Sequence, residues 1–287
     1  MMVFAPSHLF AEMRTSNIWG LPDCVTDQGK DIDRLFIVIT DLTVLVFIAV
    51  MVAMFTFLIK YRARRGIKAI YSHGNNKLEI WWTTIPALIF IAIVVYSNGM
   101  WGRIFDPALI PKDALNVEIV AEQFGFNIRY PGSDNVLGKS DDSLFSINNK
   151  FGLVMEDPAN KQGFTTYNDL EIPVGRAIHL YLRSKDVIHA FFVPEFRLGQ
   201  DMVPGRTISY MWFRTTRTGN FNICCNQLCG AGHYNMQSKL KVLSKEDFEK
   251  WYQSKLPATA QNNSSKNPIV LTSSAAAVPA KMAVAPN

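Results

Sequence analysis

Twelve consecutive residues, Cys225-Asn226-Gln227-Leu228-Cys229-Gly230-Ala231-Gly232-His233-Tyr234-Asn235-Met236, carry two thiols, an imidazole and a thioether. All four donors are soft or borderline, and no carboxylate stands among them. Thiolate and thioether sulfur select copper over magnesium, calcium or manganese, whereas imidazole suits copper and zinc alike. Structural zinc sites draw on cysteine, histidine and carboxylate, so the methionine tips the choice to copper. A mononuclear blue-copper centre uses one cysteine. The second one here points to paired metals bridged by sulfur.

The spacing C-x-x-x-C-x-x-x-H-x-x-M fits a loop that folds its donors around one point. A missing donor is expected from elsewhere in the fold, and His189 is the candidate, in the apolar strand Asp186-Val187-Ile188-His189-Ala190-Phe191-Phe192-Val193-Pro194. Gln227, between the cysteines, can offer its backbone carbonyl. Two other readings of the loop are a Cys225–Cys229 disulfide, which leaves His233 and Met236 unexplained, and a zinc knuckle. Cys224 competes with Cys225 as a donor, but a strand points neighbouring side chains to opposite faces; Cys224 is read as a small buried hydrophobe. Cys24 has no evident partner, and His8, His73 and His179 are read as surface or packing residues.

The elements that must hold this loop are short strands. Residues 116–121, 177–183, 207–213, 221–224 and 239–243 alternate apolar with polar and are separated by turn residues, which predicts an all-β sandwich or barrel over 116–243. A copper loop between late strands, with one histidine from an earlier hairpin, suits a cupredoxin-like Greek key. Residues 131–169 are rich in Asp, Asn, Gly and Lys and read as an inserted loop, a length of connection that is functional or mobile. A short helix is expected over 244–256 with Ser244 as N-cap. Residues 257–287, with few large apolar side chains, read as a disordered tail. The absence of Cys-x-x-Cys-His excludes a fused c-type haem among these residues.

Ahead of the β-region lie two apolar runs, 35–59 with Asp41 its single charge, and 82–101 with none, bracketed by tryptophans. Each is long enough to cross a bilayer at about 1.5 Å per residue; Asp41 is expected to pack against protein near a membrane boundary. The segment between them, 60–81, holds Lys60, Arg62, Arg64, Arg65, Lys68 and Lys77 against Glu79. The positive-inside rule therefore puts it in the cytoplasm, with residues 1–34, both chain termini and the β-domain outside. No basic start precedes a short apolar core, so no cleavable signal peptide is expected and the first span serves as the export signal. The formal net charge of +5 includes these topology signals, and a nucleic-acid partner is not indicated.

Val187-Ile188-His189, Asp201-Met202-Val203-Pro204-Gly205-Arg206 and the sulfur loop together resemble subunit II of haem–copper cytochrome c oxidase. The resemblance implies a dinuclear CuA centre of two copper ions. Cys225 and Cys229 would bridge both metals, His189 and His233 would bind one each, and Met236 and the Gln227 carbonyl would complete the coordination. It implies a proton-pumping terminal oxidase whose subunit II takes electrons from cytochrome c or a similar small carrier and passes them to haem in subunit I. Further oxidase subunits and membrane lipid would be its partners, and a respiratory membrane, bacterial inner membrane by type, its location. Glu79, in a segment similar to the family's approach to the second span, would lie at the mouth of a proton pathway in subunit I; as a residue of a helix start it also complements the macrodipole.

Three departures from the family have consequences. Gln123-Phe124-Gly125-Phe126 stands where relatives carry a tryptophan-rich cluster, so Phe124 and Phe126 are the docking candidates and the indole N–H is lost. Gln227 replaces a glutamate whose carboxylate would reach a magnesium or manganese ion shared with subunit I, which puts that ion in doubt. Asp186 matches an acid of the docking face, but Lys185 stands where a second one sits, which favours a less basic donor. The quinol-oxidase relatives lack these ligands. Nitrous oxide reductase carries its similar centre without two such spans, and a copper carrier would need fewer donors.

Overall fold

A computed structural model describes residues 21–68, 71 and 73–257. Most of the segment 1–34 and nearly all of the tail expected at 257–287 lie outside the described residues.

Helix α1 spans Asp27–Lys60. It starts eight residues before the apolar run because Thr26 caps it, its side chain accepting from the N–H of Gly29. At 34 residues it is about 51 Å long, more than a bilayer core of about 30 Å requires. The surplus is the charged first turns, where Asp33 pairs with Arg197 of the β-domain at 2.6 Å. Helix α2 spans Asn76–Phe105; the Asn75 side chain accepts from the N–H groups of Lys77 and Leu78, and Pro86 lies inside the helix. Its last turns dock on the sandwich, with Met100 and Ile104 buried and Phe105 edge-on to Tyr210. The apolar windows of both helices are otherwise bare. A helix that is apolar all round must be covered by lipid or by other protein.

The β-domain is built from ten strands: β1 Leu115–Glu122, β2 Gly125–Tyr130, β3 Phe164–Tyr167, β4 Asp169–Pro173, β5 Ala177–Ser184, β6 His189–Val193, β7 Leu198–Met202, β8 Ile208–Arg214, β9 Gly219–Cys224 and β10 Gln237–Leu243. They form a sandwich of two five-stranded sheets with order β3-β2-β1-β5-β8 and β4-β10-β9-β6-β7. Pairs β1–β5 and β4–β10 are parallel and the rest antiparallel, the crossed connectivity of a Greek key. Between the sheets lie Ile119, Phe126, Ile128, Ile172, Leu180, Phe191, Phe196, Phe213 and Leu240, all fully buried. Helix α3, Lys245–Lys255, is capped by Ser244 through the N–H of Asp247. It sets Trp251 and Tyr252 against Tyr130 and Phe164.

The segment read as a loop over 131–169 contains more structure than its composition suggests. Its last residues form β3, which extends the first sheet by pairing with β2; four residues are too few to show a period in the sequence. The remainder lies over the outer face of that sheet, held by a buried charge cluster. Glu118 on β1 receives Arg129 at 2.6 Å and Arg183 at 2.7 Å. The two guanidinium groups reach onward to Asn160, Gly138 O, Ser140 and Phe151 O, and Arg183 also meets Asp142.

Candidate metal centre

Adjacent strands of the second sheet bring the donors together. β9 ends at Cys224 and β10 begins at Gln237, so the sulfur loop is the connection of an antiparallel pair, closed by Cys225 N–H donating to Met236 O at 3.1 Å. On the other side of β9 runs β6, whose first residue is His189. Strand alternation turns Cys225 inward and leaves Cys224 half-buried on the opposite side, so Cys224 is less buried than the small buried hydrophobe expected.

The two sulfurs lie 3.7 Å apart and both thiols are free, well beyond the roughly 2.05 Å of a disulfide. That separation overturns the disulfide reading. Cys225 Sγ is 3.9 Å from His189 Nδ1 and 3.2 Å from the Gln227 carbonyl oxygen. Cys229 Sγ is 3.6 Å from His233 Nδ1 and 3.7 Å from Met236 Sδ. Each sulfur thus has one imidazole nitrogen and one weaker donor beside it. His189, Met236, Cys229 and Cys225 are buried, His233 is half-buried, and the Gln227 residue is exposed. Two linked thiols, each with its own imidazole and its own thioether or carbonyl, fit a pair of soft metal ions better than one zinc ion.

His189 is oriented from outside the cluster. Its Nε2 lies 2.8 Å from Asp186 Oδ1, which leaves Nδ1 for the sulfur side, an arrangement by which partners beyond the ligands fix an imidazole tautomer. Burial opposes ionisation of Asp186, but hydrogen bonds from His189 and from the N–H groups of Gln123 and Val187 outweigh it and hold the carboxyl below its usual range. Burial, reinforced by the Cys225 thiol, pushes the Cys229 thiol up to about 11. Metal uptake there must displace a firmly held proton. Cys224 is raised too, by burial first and then by Glu195 and Cys225.

Of the docking candidates, Phe124 is partly exposed, at 38%, and its ring lies on the loop backbone. A Cβ on Gly232 would come within 2.6 Å of it, and Gly230, at φ +138°, would meet Gln123 and the same ring. Phe126 requires correction. It is fully buried in the sandwich core, because it lies within β2 on the face it shares with Ile128 and Tyr130, whereas Phe124 lies in the turn before that strand, and it offers no docking surface. Asp186 is partly exposed but spends its oxygens on His189, Gln123 and Val187. Lys185 pairs with Glu122 at 3.0 Å. His179 is a packing residue, bonded to Asn116 and Ser209 O. Glu79 sits exposed in the first turn of α2. The sandwich docks on that helix's last turns, so the structure does not bring Glu79 to the sulfur loop. Gln123, which the sequence presented only as the neighbour of the docking candidates, does reach it: its side-chain amide donates to Cys229 O at 2.6 Å.

Two long apolar helices followed by a cupredoxin-like sandwich with a sulfur-rich loop define a membrane-anchored protein of the copper-domain class. Residues 15–100 match the family model for the transmembrane domain of cytochrome c oxidase subunit II, and residues 146–243 match that for its periplasmic domain. The chain is 36% identical over 245 residues to the alternative cytochrome c oxidase subunit 2 of Bradyrhizobium diazoefficiens, covering 85% of this chain and 84% of that one. It is 31% identical over 256 residues to the cytochrome c oxidase subunit 2 of Thermostichus vulcanus, covering 80% and 77%. Among solved structures, the periplasmic domain of subunit II of cytochrome oxidase of Bradyrhizobium japonicum aligns with a TM-score of 0.39 and 24% identity over 51% of this chain and 96% of that one. The chain belongs to the cytochrome c oxidase subunit II family. It is accordingly a subunit of a haem–copper oxidase complex, with subunit I implied beside it, and its domain is consistent with electrons entering that complex through copper.

Proposed function

We propose that this chain receives electrons for a proton-pumping terminal oxidase at a dinuclear copper centre and delivers them toward haem in subunit I. Cys225 and Cys229 would bridge two coppers, His189 and His233 would each bind one, and Met236 and the Gln227 carbonyl would be the weaker ligands. The observation that carries this reading is the paired arrangement of donors, one imidazole and one weak donor beside each of two sulfurs 3.7 Å apart. A sulfur-bridged copper pair shares one electron between both metals, so that uptake and release demand little rearrangement.

The protein's own groups set the conditions for that chemistry. Asp186 holds the Nε2 edge of His189 and so presents Nδ1 inward. Burial of His189, Cys229 and Met236 keeps water from the donors. Phe124, partly exposed and lying on the loop, offers an apolar contact to cytochrome c or a similar small carrier. Gln227 keeps the carbonyl yet brings no negative charge, so magnesium or manganese at the subunit I boundary is not part of this reading. The basic segment between the helices supports a cytoplasmic position for it, with the sandwich and both termini on the periplasmic side of a bacterial respiratory membrane. Glu79, in the first turn of α2, would then face the cytoplasmic mouth of a proton pathway in subunit I.

Metal analysis and electron paramagnetic resonance of the purified full chain test the proposal. It expects about two coppers per chain, a purple colour and a multiline mixed-valence spectrum. A single copper with a four-line spectrum, or a colourless zinc-loaded protein, refutes it.

A further inference from the structure

The turn between β1 and β2 joins the two arms of the sulfur cluster. Gln123 donates from its side-chain Nε2 to the carbonyl oxygen of Cys229 at 2.6 Å. The backbone N–H of the same residue donates to Asp186 Oδ2 at 2.8 Å, and the other oxygen of that carboxylate meets His189 Nε2 at 2.8 Å. An unbroken chain of hydrogen bonds therefore runs from the Cys229 peptide through Gln123 and Asp186 to the imidazole of His189. The contact is close-fitted: Gly230, which follows Cys229, would place a Cβ 2.8 Å from the Gln123 amide. The loop and the histidine strand come from different parts of the chain, and apart from the cluster itself this is the bridge that spans them among the described hydrogen bonds.

We propose that Gln123 is a positioning residue of the metal centre, tying the Cys229 arm to the Asp186–His189 arm and so setting the spacing of thiol and imidazole. Its amide also aims the positive end of an N–H dipole at the peptide beside a bridging sulfur, which favours the more electron-rich state of the centre. The inference rests on the copper reading for this electronic part alone; the positioning part concerns the chain by itself.

Gln123→Met keeps the length and removes the donor, and Gln123→Glu keeps the shape and replaces the amide with an acceptor. In the metal-free full chain, alkylation of Cys229 by iodoacetamide, resolved by mass spectrometry, should accelerate about threefold or more in both variants, the size expected for one net hydrogen bond. Cys24 serves as the internal reference and should not change. In the copper-loaded chain at fixed ambient potential, the ratio of reduced to oxidised centre should fall by about the same factor, with altered hyperfine splitting. Parental alkylation rates in both variants overturn the proposal, and so does an equal acceleration at Cys24, which would make Gln123 a general packing residue. Unchanged redox ratio and hyperfine splitting in a copper-loaded variant also overturn it. If the parent chain takes up no copper, the proposed function fails while the alkylation ratio still decides the positioning role.

Discussion

Replacing Glu118 with Gln should destabilise the β-domain and loosen the segment that covers its first sheet. The Glu118 side chain is 3% exposed, Arg129 6% and Arg183 4%, so none of the three charges is solvated. The carboxylate receives Arg129 through Nε and Nη2, both at 2.6 Å, and Arg183 through Nη1 at 2.7 Å. A glutamine in its place has one oxygen to accept from one guanidinium and turns an N–H group toward the other. Charge-assisted hydrogen bonds contribute about 1.5–3 kcal/mol each, and breaking a buried ion pair from one side costs about 3–5 kcal/mol. Arg183 keeps Asp142 and Phe151 O, and Arg129 keeps Asn160 and Gly138 O, which limits the loss to about 3 kcal/mol. Urea unfolding of the full chain in mild detergent measures it, and limited proteolysis should show new cleavage within 131–163. The triple change Glu118→Leu, Arg129→Met, Arg183→Met should recover most of the stability, since buried charges cost desolvation that apolar groups avoid. A loss below about 1 kcal/mol for Glu118→Gln, the range of an exposed pair, would refute the view that this cluster anchors the covering segment.

Phe126→Ala should cost about 3–5 kcal/mol by leaving a core cavity; Phe124→Ala should slow electron uptake from a soluble carrier with little effect on the unfolding midpoint, and denaturation beside stopped-flow kinetics separates the two. Met236→Leu nearly conserves volume at a position 1% exposed and should cost under about 1.5 kcal/mol, while copper remains bound with a shifted visible spectrum and potential. Although burial opposes its ionisation, hydrogen bonds from Lys150, Asn127 and Lys185 hold the Glu122 carboxyl at about 2 against an ordinary 4.5. A depressed folded-state value means that this stabilisation is complete above pH 4.5 and disappears as pH falls from 4.5 toward 2. Thermal midpoints across that window should fall less steeply in Glu122→Gln than in the parent, and parallel curves would show that the pairing contributes nothing.

Much of the site is local, and local chemistry is legible. Cys225, Cys229, His233 and Met236 occupy one connection between β9 and β10, so their identity and spacing mark a candidate soft-metal site before any fold is known. The strand at 239–243 shows its alternation because one face is buried and the other faces water, whereas 116–121 and 177–183 alternate although both faces are buried, their polar face carrying Glu118 and Arg183 beneath the covering segment. Phe126 shows where that legibility ends. It looks equivalent to Phe124 in sequence, yet Phe124 falls in the β1–β2 turn with its ring on the sulfur loop, while Phe126 lies inside β2 and faces the core. Likewise β3 is too short to carry a period and exists because β2 offers it an edge.

Donor types, membrane-length apolar runs and family membership can be read from the linear order of residues, because each depends on which residues stand next to one another. Folding is what brings Asp186 onto His189, Gln123 onto the Cys229 carbonyl, and two arginines onto Glu118 under the covering segment. The Gln123–Cys229 and Glu118–Arg183 contacts join residues 106 and 65 positions apart, and a hydrogen bond acts only over about 3 Å. Sheet order and register set such distances, and they follow from how the whole sandwich buries its apolar faces.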